Sequence, residues 1–341
     1  MILAGDVGGT KTNIGLFEPH LDRFPCVRKA SYSSAEHSGL GSIIDDFLAG
    51  EVLTGACVGI AGPVIDNRCR TSNLSWEVDG NELARGHGLP WLMLINDLVA
   101  NADGIPVLEP EDFSVLNEAD AVEGAPQVLV SAGTGLGMSI IPRTSSRSRP
   151  LPSEGGHQTF APRTELESRL AAHLWRIHGH VSVERVVSGP GLANIFHFLV
   201  AEEGIRPDPE VARLVETGDP GRAIGEAGVA GTCPVAVATL DLFLEAYGAV
   251  AGNLALACLA RGGVYLGGGI APHLLPRMAD GTFMRGFTGK GRFTDLLSRI
   301  PVKVIENPLT ALLGAARRGF IVSKASRSPG PPAPTVRPSP A

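Results

Sequence analysis

The stretch that decides the fold opens the chain: Ile2-Leu3-Ala4-Gly5-Asp6-Val7-Gly8-Gly9-Thr10, then, after Lys11, Thr12-Asn13-Ile14-Gly15-Leu16-Phe17. The first apolar run is too short for a helix, and the second alternates polar with apolar residues. Together they read as a buried strand, a glycine turn and a second strand. The same grammar returns at Val128-Leu129-Val130, Ser131-Ala132-Gly133-Thr134-Gly135-Leu136-Gly137 and Met138-Ser139-Ile140-Ile141. Two such units about half a chain apart predict a duplicated α/β fold with one copy per domain.

Working outward, helices are expected over 42–48, 165–177 and 235–259, and strands over 56–60, 91–95 and 264–266. This alternation favours layered sheets. The domain change falls near 106–110. A helix over 308–322 is expected to pack back on the first domain. The organisation predicted is therefore a small α/β domain, 1–107 plus 306–322, and a large one, 108–305. Residues 323–341 hold six prolines, which rules out regular structure through that run and predicts a disordered tail; a Pro-rich docking peptide is the alternative. Residues 143–149, rich in Ser and Arg, read as a surface loop.

Composition narrows the class. Aromatics make up only 5% of 341 residues against 44% hydrophobic in all, so the cores are built from Ala, Val, Leu and Ile. The formal charge is −6, and the tail carries Lys324, Arg327 and Arg337 without an acid, so the body is more acidic still. No basic stripe offers itself to nucleic acid. Cys26, Cys57, Cys69, Cys233 and Cys258 show no ligand spacing and read as reduced thiols of a cytoplasmic protein. No basic n-region precedes an apolar run. Residues 248–276 are nearly uncharged, but Arg261, Gly267-Gly268-Gly269 and Pro272 interrupt them, which suits a buried helix and strand better than a membrane span.

Phosphate oxygens need many N–H donors at close range, which glycine turns provide because no side chain obstructs the approach. Gly8-Gly9-Thr10 and Gly133-Thr134-Gly135 each offer such a turn with a hydroxyl, and 267–269 adds a third cluster. Neither hairpin turn is a Walker loop; each alone also serves as a simple hairpin turn. Asp6, beside the first, makes chemical sense next to phosphate if a Mg²⁺ lies between them, held through water; a turn-capping role competes. Asn96-Asp97 ends a buried strand, a usual place for α/β active sites, though the dipeptide is also common in turns. Ser153-Glu154-Gly155-Gly156-His157, with Glu184 after it, can satisfy a polyol's hydroxyls; a metal site is the competing reading, without a second His or Cys at ligand spacing.

As an ordered set, Asp6-Val7-Gly8-Gly9-Thr10, Ile95-Asn96-Asp97, Gly133-Thr134-Gly135-Leu136-Gly137, Glu154-Gly155-Gly156-His157, Glu184-Arg185-Val186, Ser188-Gly189-Pro190-Gly191 and Gly267-Gly268-Gly269-Ile270 resemble the bacterial glucokinase family over roughly residues 3–320. The resemblance implies the actin-like ATPase fold, two RNase H-like α/β domains around a cleft, usually as a homodimer. It implies phosphorylation of glucose by ATP. Asn96, Asp97, Glu154, His157 and Glu184 become the glucose contacts, with Asp97 the base. Gly5, Asp6, Val7, Gly8, Gly9 and Thr10 would hold phosphates with Gly133, Thr134 and Gly135, and Gly268 would lie near the adenosine. A related repressor/open-reading-frame/kinase family carries a Cys-rich zinc motif after its His. No cysteine occurs between Cys69 and Cys233, so no structural zinc is expected. Lys11 departs from the pattern, as a phosphate contact or a solvated lysine. The rivals are a kinase for another hexose or amino sugar and a sugar-responsive regulator on the same fold.

Overall fold

The structure is a computed structural model describing residues 1–18, 23–71, 74–143 and 149–327. The chain divides into two compact units, Met1–Val107 together with the segment from Ala311 onward, and Leu108–Thr310.

The first unit opens with β1 (Ile2–Val7), β2 (Lys11–Phe17) and β3 (Cys26–Ser33), followed by α1 (Leu40–Phe47) and β4 (Gly55–Ile60). A small ribbon comes next, β5 (Val64–Ile65), β6 (Arg68–Arg70) and β7 (Glu77–Asp79), then α2 (Gly80–Gly86), β8 (Leu92–Asn96) and α3 (Asp97–Gly104). The main sheet runs β3-β2-β1-β4-β8. The hairpin strands pair antiparallel, whereas β4 and β8 run parallel to β1. Every residue of β4 is buried, as a central strand covered on both faces demands. Leu40, Ile43, Ile44 and Phe47 of α1 join Leu3, Val58 and Leu94 in one core.

The second unit repeats this plan. It contains β9 (Phe113–Asn117), β10 (Gln127–Ala132), β11 (Leu136–Ile141), β12 (Leu151–Ser153), α4 (Glu165–His178), α5 (Gly189–Ala201), α6 (Pro209–Thr217) and α7 (Pro220–Ala230). After these come α8 (Pro234–Cys258), β13 (Gly263–Gly267), α9 (Ile270–Met278), α10 (Thr282–Thr288), α11 (Thr294–Ser298) and β14 (Val302–Ile305). Its sheet order, β12-β11-β10-β13-β14-β9, is that of the first with β9 added at the far edge. The pairing senses match strand for strand. The duplication read from the two hairpins is therefore a property of whole sheets. Among the described residues α8 alone is long and apolar enough to cross a membrane, and most of it is buried inside the protein. It crosses α10 so closely that a Cβ on Gly248 would stand 2.0 Å from the Phe283 carbonyl oxygen.

The last helix, α12 (Thr310–Arg327), returns to the first unit. A Cβ on Gly314 would lie 1.8 Å from the Ala100 carbonyl oxygen, so α12 and α3 touch backbone to backbone. Arg318 fixes the crossing, its Nε and Nη2 each 2.7 Å from the Asp103 carboxylate. All three charged partners, Arg317 included, are largely withdrawn from solvent, and geometry this specific selects one register. The helix continues past residue 322, where composition placed the start of the tail. Residues 323–327 contain no helix breaker, and proline first appears at 329. Residues 328–341, and 144–148 of the Ser/Arg loop, lie outside the described residues.

Candidate active site

In the first unit three strands deliver chemistry to one edge of the sheet. The β1–β2 turn closes through Gly8 N–H on the Lys11 carbonyl at 2.9 Å. Ser34, fully buried, then grips it: the hydroxyl donates to the Gly8 carbonyl at 2.9 Å and the backbone N–H to that of Thr10 at 3.0 Å. Gly5, Asp6 and Val7 lead into this turn along β1. Asp6 has a long hydrogen bond from Asn13, at 3.5 Å. Burial pushes its carboxyl above the usual carboxylate range, against a smaller opposing pull from Asn13. A withdrawn carboxylate this weakly partnered fits a role beside a cation.

One strand over, Gly59 of β4 stands opposite Asp6. A Cβ there would be 2.8 Å from Ala100 Cβ and 3.8 Å from Asp97 Cα, so the missing side chain is what lets α3 start against the sheet. Asn96 ends β8 and caps α3, its Oδ1 accepting from Leu98 N–H at 3.0 Å and Val99 N–H at 3.4 Å. Its Nδ2 donates to the Gly62 carbonyl at 3.2 Å. The side chain that the sequence offered as a sugar contact thus also fixes the first turn of the helix carrying Asp97. Cys69 on β6 lies close to that acid: burial chiefly, and the Asp97 charge second, push its thiol up. All five cysteines are free.

In the second unit the 133–135 turn is gripped from another segment. Gly189 N–H donates to the Gly133 carbonyl at 2.8 Å, and Leu136 N–H donates to Glu184 Oε2 at 2.9 Å. A Cβ on Gly135 would sit 2.7 Å from that carboxylate oxygen, so a larger residue there would push the Glu184 side chain off this bond. Ser188 caps α5 and bonds the Glu184 carbonyl at 2.7 Å. Gly268, at φ +81°, lies against the Ala132 carbonyl, 2.2 Å from where its Cβ would be. The 267–269 cluster and the 133–135 turn are therefore neighbours.

Glu154 precedes and His157 ends a short 3-10 turn, Gly155–His157, seated on β11: a Cβ on Gly156 would meet the Leu136 carbonyl at 2.0 Å. Their side chains are exposed and approach to 4.0 Å. Val183 N–H donates to the Gln158 carbonyl at 2.8 Å, tying this turn to the one bearing Glu184. One region thus gathers the second unit's three sugar candidates. Among the described residues no group of three or more His, Cys, Asp or Glu stands together as a metal would need.

A family model described as Glucokinase matches residues 3–319. A glucokinase of Trichormus variabilis is 40% identical over 334 residues, covering 93% of this chain and 98% of that one. The chain belongs to the glucokinase family. Among solved structures, a glucokinase from an Antarctic psychrotroph matches with a TM-score of 0.80 at 30% identity, over 94% of this chain and 98% of that one. A Balamuthia mandrillaris glucokinase in complex with glucose matches with 0.76 at 19% identity, over 94% and 93%. This glucokinase-family chain has the actin-like ATPase fold of sugar kinases, and its two like sheets are the RNase H-like halves.

Sequence reasoning missed the residues that hold this family member's site in shape. Ser34 reaches its turn from a distant segment that no local pattern announces, and Gly189, though part of a quoted motif, gives no sequence sign of its bond to Gly133. Asn67 is different. It stands with Asp66 in a left-handed two-residue turn between β5 and β6, at φ 50° and 62°, and Asp-Asn is a pair that tolerates such a turn.

Proposed function

We propose that the chain transfers the γ-phosphoryl group of ATP to the 6-hydroxyl of glucose, with Asp97 as proton acceptor. The observation that carries the reading is the position of Gly59 between Asp6 and Asp97. With β4 between them, Asp97 at the end of β8 and Asp6 with its glycine turn on β1 face one sheet edge, which supports this reading. Phosphoryl transfer asks for little more than such alignment and charge neutralisation. The sugar oxygen attacks the γ-phosphorus in line, its proton passes to Asp97, and the bond to the bridging oxygen of ADP breaks. Asp6 would hold Mg²⁺, which would supply charge neutralisation at the phosphates. Gly8, Gly9, Thr10, Gly133, Thr134 and Gly135 bring backbone donors to them, and Gly268 borders the nucleotide. Asn96 orients Asp97 and keeps one amide hydrogen for the sugar, while Glu154, His157 and Glu184 receive the remaining hydroxyls. The working form is a cytoplasmic homodimer.

The test is ADP formation across a panel of hexoses and amino sugars, beside glucose titration of Asp97→Asn. Glucose is expected to give the highest kcat/KM, and the variant to bind glucose while turning over at a small fraction of the normal rate. Normal turnover in the variant removes Asp97 from its role. A better amino-sugar substrate moves the specificity.

A further inference from the structure

β8 lies at the edge of its sheet and pairs with β4 alone. An edge strand presents a row of unpaired backbone groups. Here the outer edge is taken up by one side chain. Asn67 Nδ2 donates to the Leu92 carbonyl at 2.8 Å, and its Oδ1 accepts from Leu94 N–H at 2.8 Å. The amide thereby imitates one residue of an additional strand. Asn67 is itself held: its carbonyl accepts from Gly80 N–H at 2.9 Å and its Nδ2 also reaches Asn81 Oδ1 at 3.1 Å. A side chain on Gly80 would collide with it, the Cβ position standing 2.5 Å from Nδ2. Asp97 begins three residues after Leu94, beyond Asn96, whose own amide is anchored to Gly62 in the same segment.

We infer that Asn67 is a positioning residue for phosphoryl transfer: by pairing with the free edge of β8 it fixes where that strand ends, and so where the Asp97 carboxylate stands. The inference rests on the assignment of Asp97 as proton acceptor. Two features make the role more than generic stability. The bonds fall on the strand that runs directly into Asp97, and the ribbon bearing Asn67 also places Cys69 beside that acid. The geometry demands this residue type as well. At φ +62° only glycine and asparagine, with aspartate behind them, are at ease, and of these asparagine alone both donates and accepts through its side chain.

Asn67→Gly removes the amide while keeping the left-handed turn relaxed, and Asp66→Gly, its exposed neighbour, is the control. Both are assayed for kcat and glucose affinity well below their melting temperatures, alongside Asp97→Asn. Misplacement of a reacting group by about 1 Å costs on the order of 100-fold. Asn67→Gly is therefore expected to lower kcat by about 10-fold or more while leaving the glucose dissociation constant nearly unchanged, with Leu94 amide exchange accelerated. Asp66→Gly should match the parent. A normal kcat in Asn67→Gly overturns the inference, as does a loss of glucose affinity equal to the loss of rate. Should Asn67→Gly not fold, Asn67→Asp, which keeps the acceptor for Leu94 and loses the donor to Leu92, is read the same way. If Asp97→Asn also turns over normally, the reading of the site itself has failed; if only Asn67→Gly does, the positioning role alone has.

Discussion

The two sheets share one strand order and one set of pairing senses, and the halves differ where chemistry is expected. Val7 pairs with Thr12, and Ala132 with Leu136, across the two glycine turns. Two residues before Gly8 stands Asp6; two residues before Gly133 stands Ser131. Their partners on the next strand are both glycine, Gly59 and Gly267. After the following strand an asparagine in each half accepts from the backbone two residues on, Asn96 from Leu98 N–H at 3.0 Å and Asn307 from Leu309 N–H at 2.8 Å, but only Asn96 ends its strand and caps the next helix. Asp97 follows the first; Pro308 follows the second. Duplication has thus kept the turns in both copies and both acids in one. In the proposed mechanism the first half does the proton and metal work, and the second grips.

The largest effect that tests this division is Asp97→Asn. A positioned general base contributes about 10²–10⁴ in rate, so kcat should fall by that factor with the fold intact. Pro308→Ala, at the exposed matching site, should change turnover little. Equal effects at the two positions would break the comparison.

The glycine pair comes next. A Cβ on Gly59 meets Ala100 Cβ at 2.8 Å, in the helix that starts with Asp97, whereas one on Gly267 meets the end of Leu129 at 3.2 Å. Gly59→Ala should cost about 1–3 kcal/mol of stability by overpacking and lower kcat as α3 shifts. Gly267→Ala should cost less of both, because a leucine tip can move. Denaturant melts beside turnover read the two.

Ser34→Ala tests whether the first turn depends on its grip. Losing the hydroxyl leaves the Gly8 carbonyl without that donor, worth about 1–3 kcal/mol when buried, and the KM for ATP should rise more than that for glucose. An unchanged ATP KM would mean that the turn holds its shape alone.

The smallest effect concerns Asp6 in the ligand-free protein. Burial lifts its pKa above the unfolded value, so the folded state binds the proton more tightly. Stability then falls as pH rises between the two values, and at neutral pH the ionised group is a cost. Asp6→Asn should therefore raise the melting temperature slightly at pH 7 and flatten that slope, whereas Ser131→Ala should do neither. A lower melting temperature for Asp6→Asn would show that the carboxylate stabilises the empty site.

Much of this was legible because glycine and short apolar runs punctuate the chain so plainly. Ile2-Leu3-Ala4 and Val128-Leu129-Val130 cannot be helices, and the turns behind them name the hairpins. Trp91 and the residues after it read as a strand running into Asn96-Asp97, and β8 runs from Leu92 to Asn96. The ribbon of β5, β6 and β7 was not legible, since strands of two or three residues carry no periodicity. Ser34 was hidden for another reason: its partners lie 22 and 26 residues away, and only the folded sheet brings them together. α12 runs five residues beyond the expected end because residues 323–327 hold no breaker, and the prolines of that run begin only at 329.

The packing of α12 on α3 also bears on the order in which the molecule can be made. The first unit is discontinuous, and its last piece leaves the ribosome only after the whole of Leu108–Thr310. Until then Ile2, Cys57 and Trp91, which meet α12 around Gly319, lack that cover, and Asp103 lacks the two arginines that neutralise it. At roughly 5–20 residues per second the nascent first unit waits on the order of 10 seconds or more, while the second can fold as an uninterrupted stretch. A chain interrupted before residue 311 would carry every residue assigned to glucose and phosphate, yet the helix bearing Asp97 would keep the sheet on one side and lack α12 on the other. Activity in this sense waits on α12.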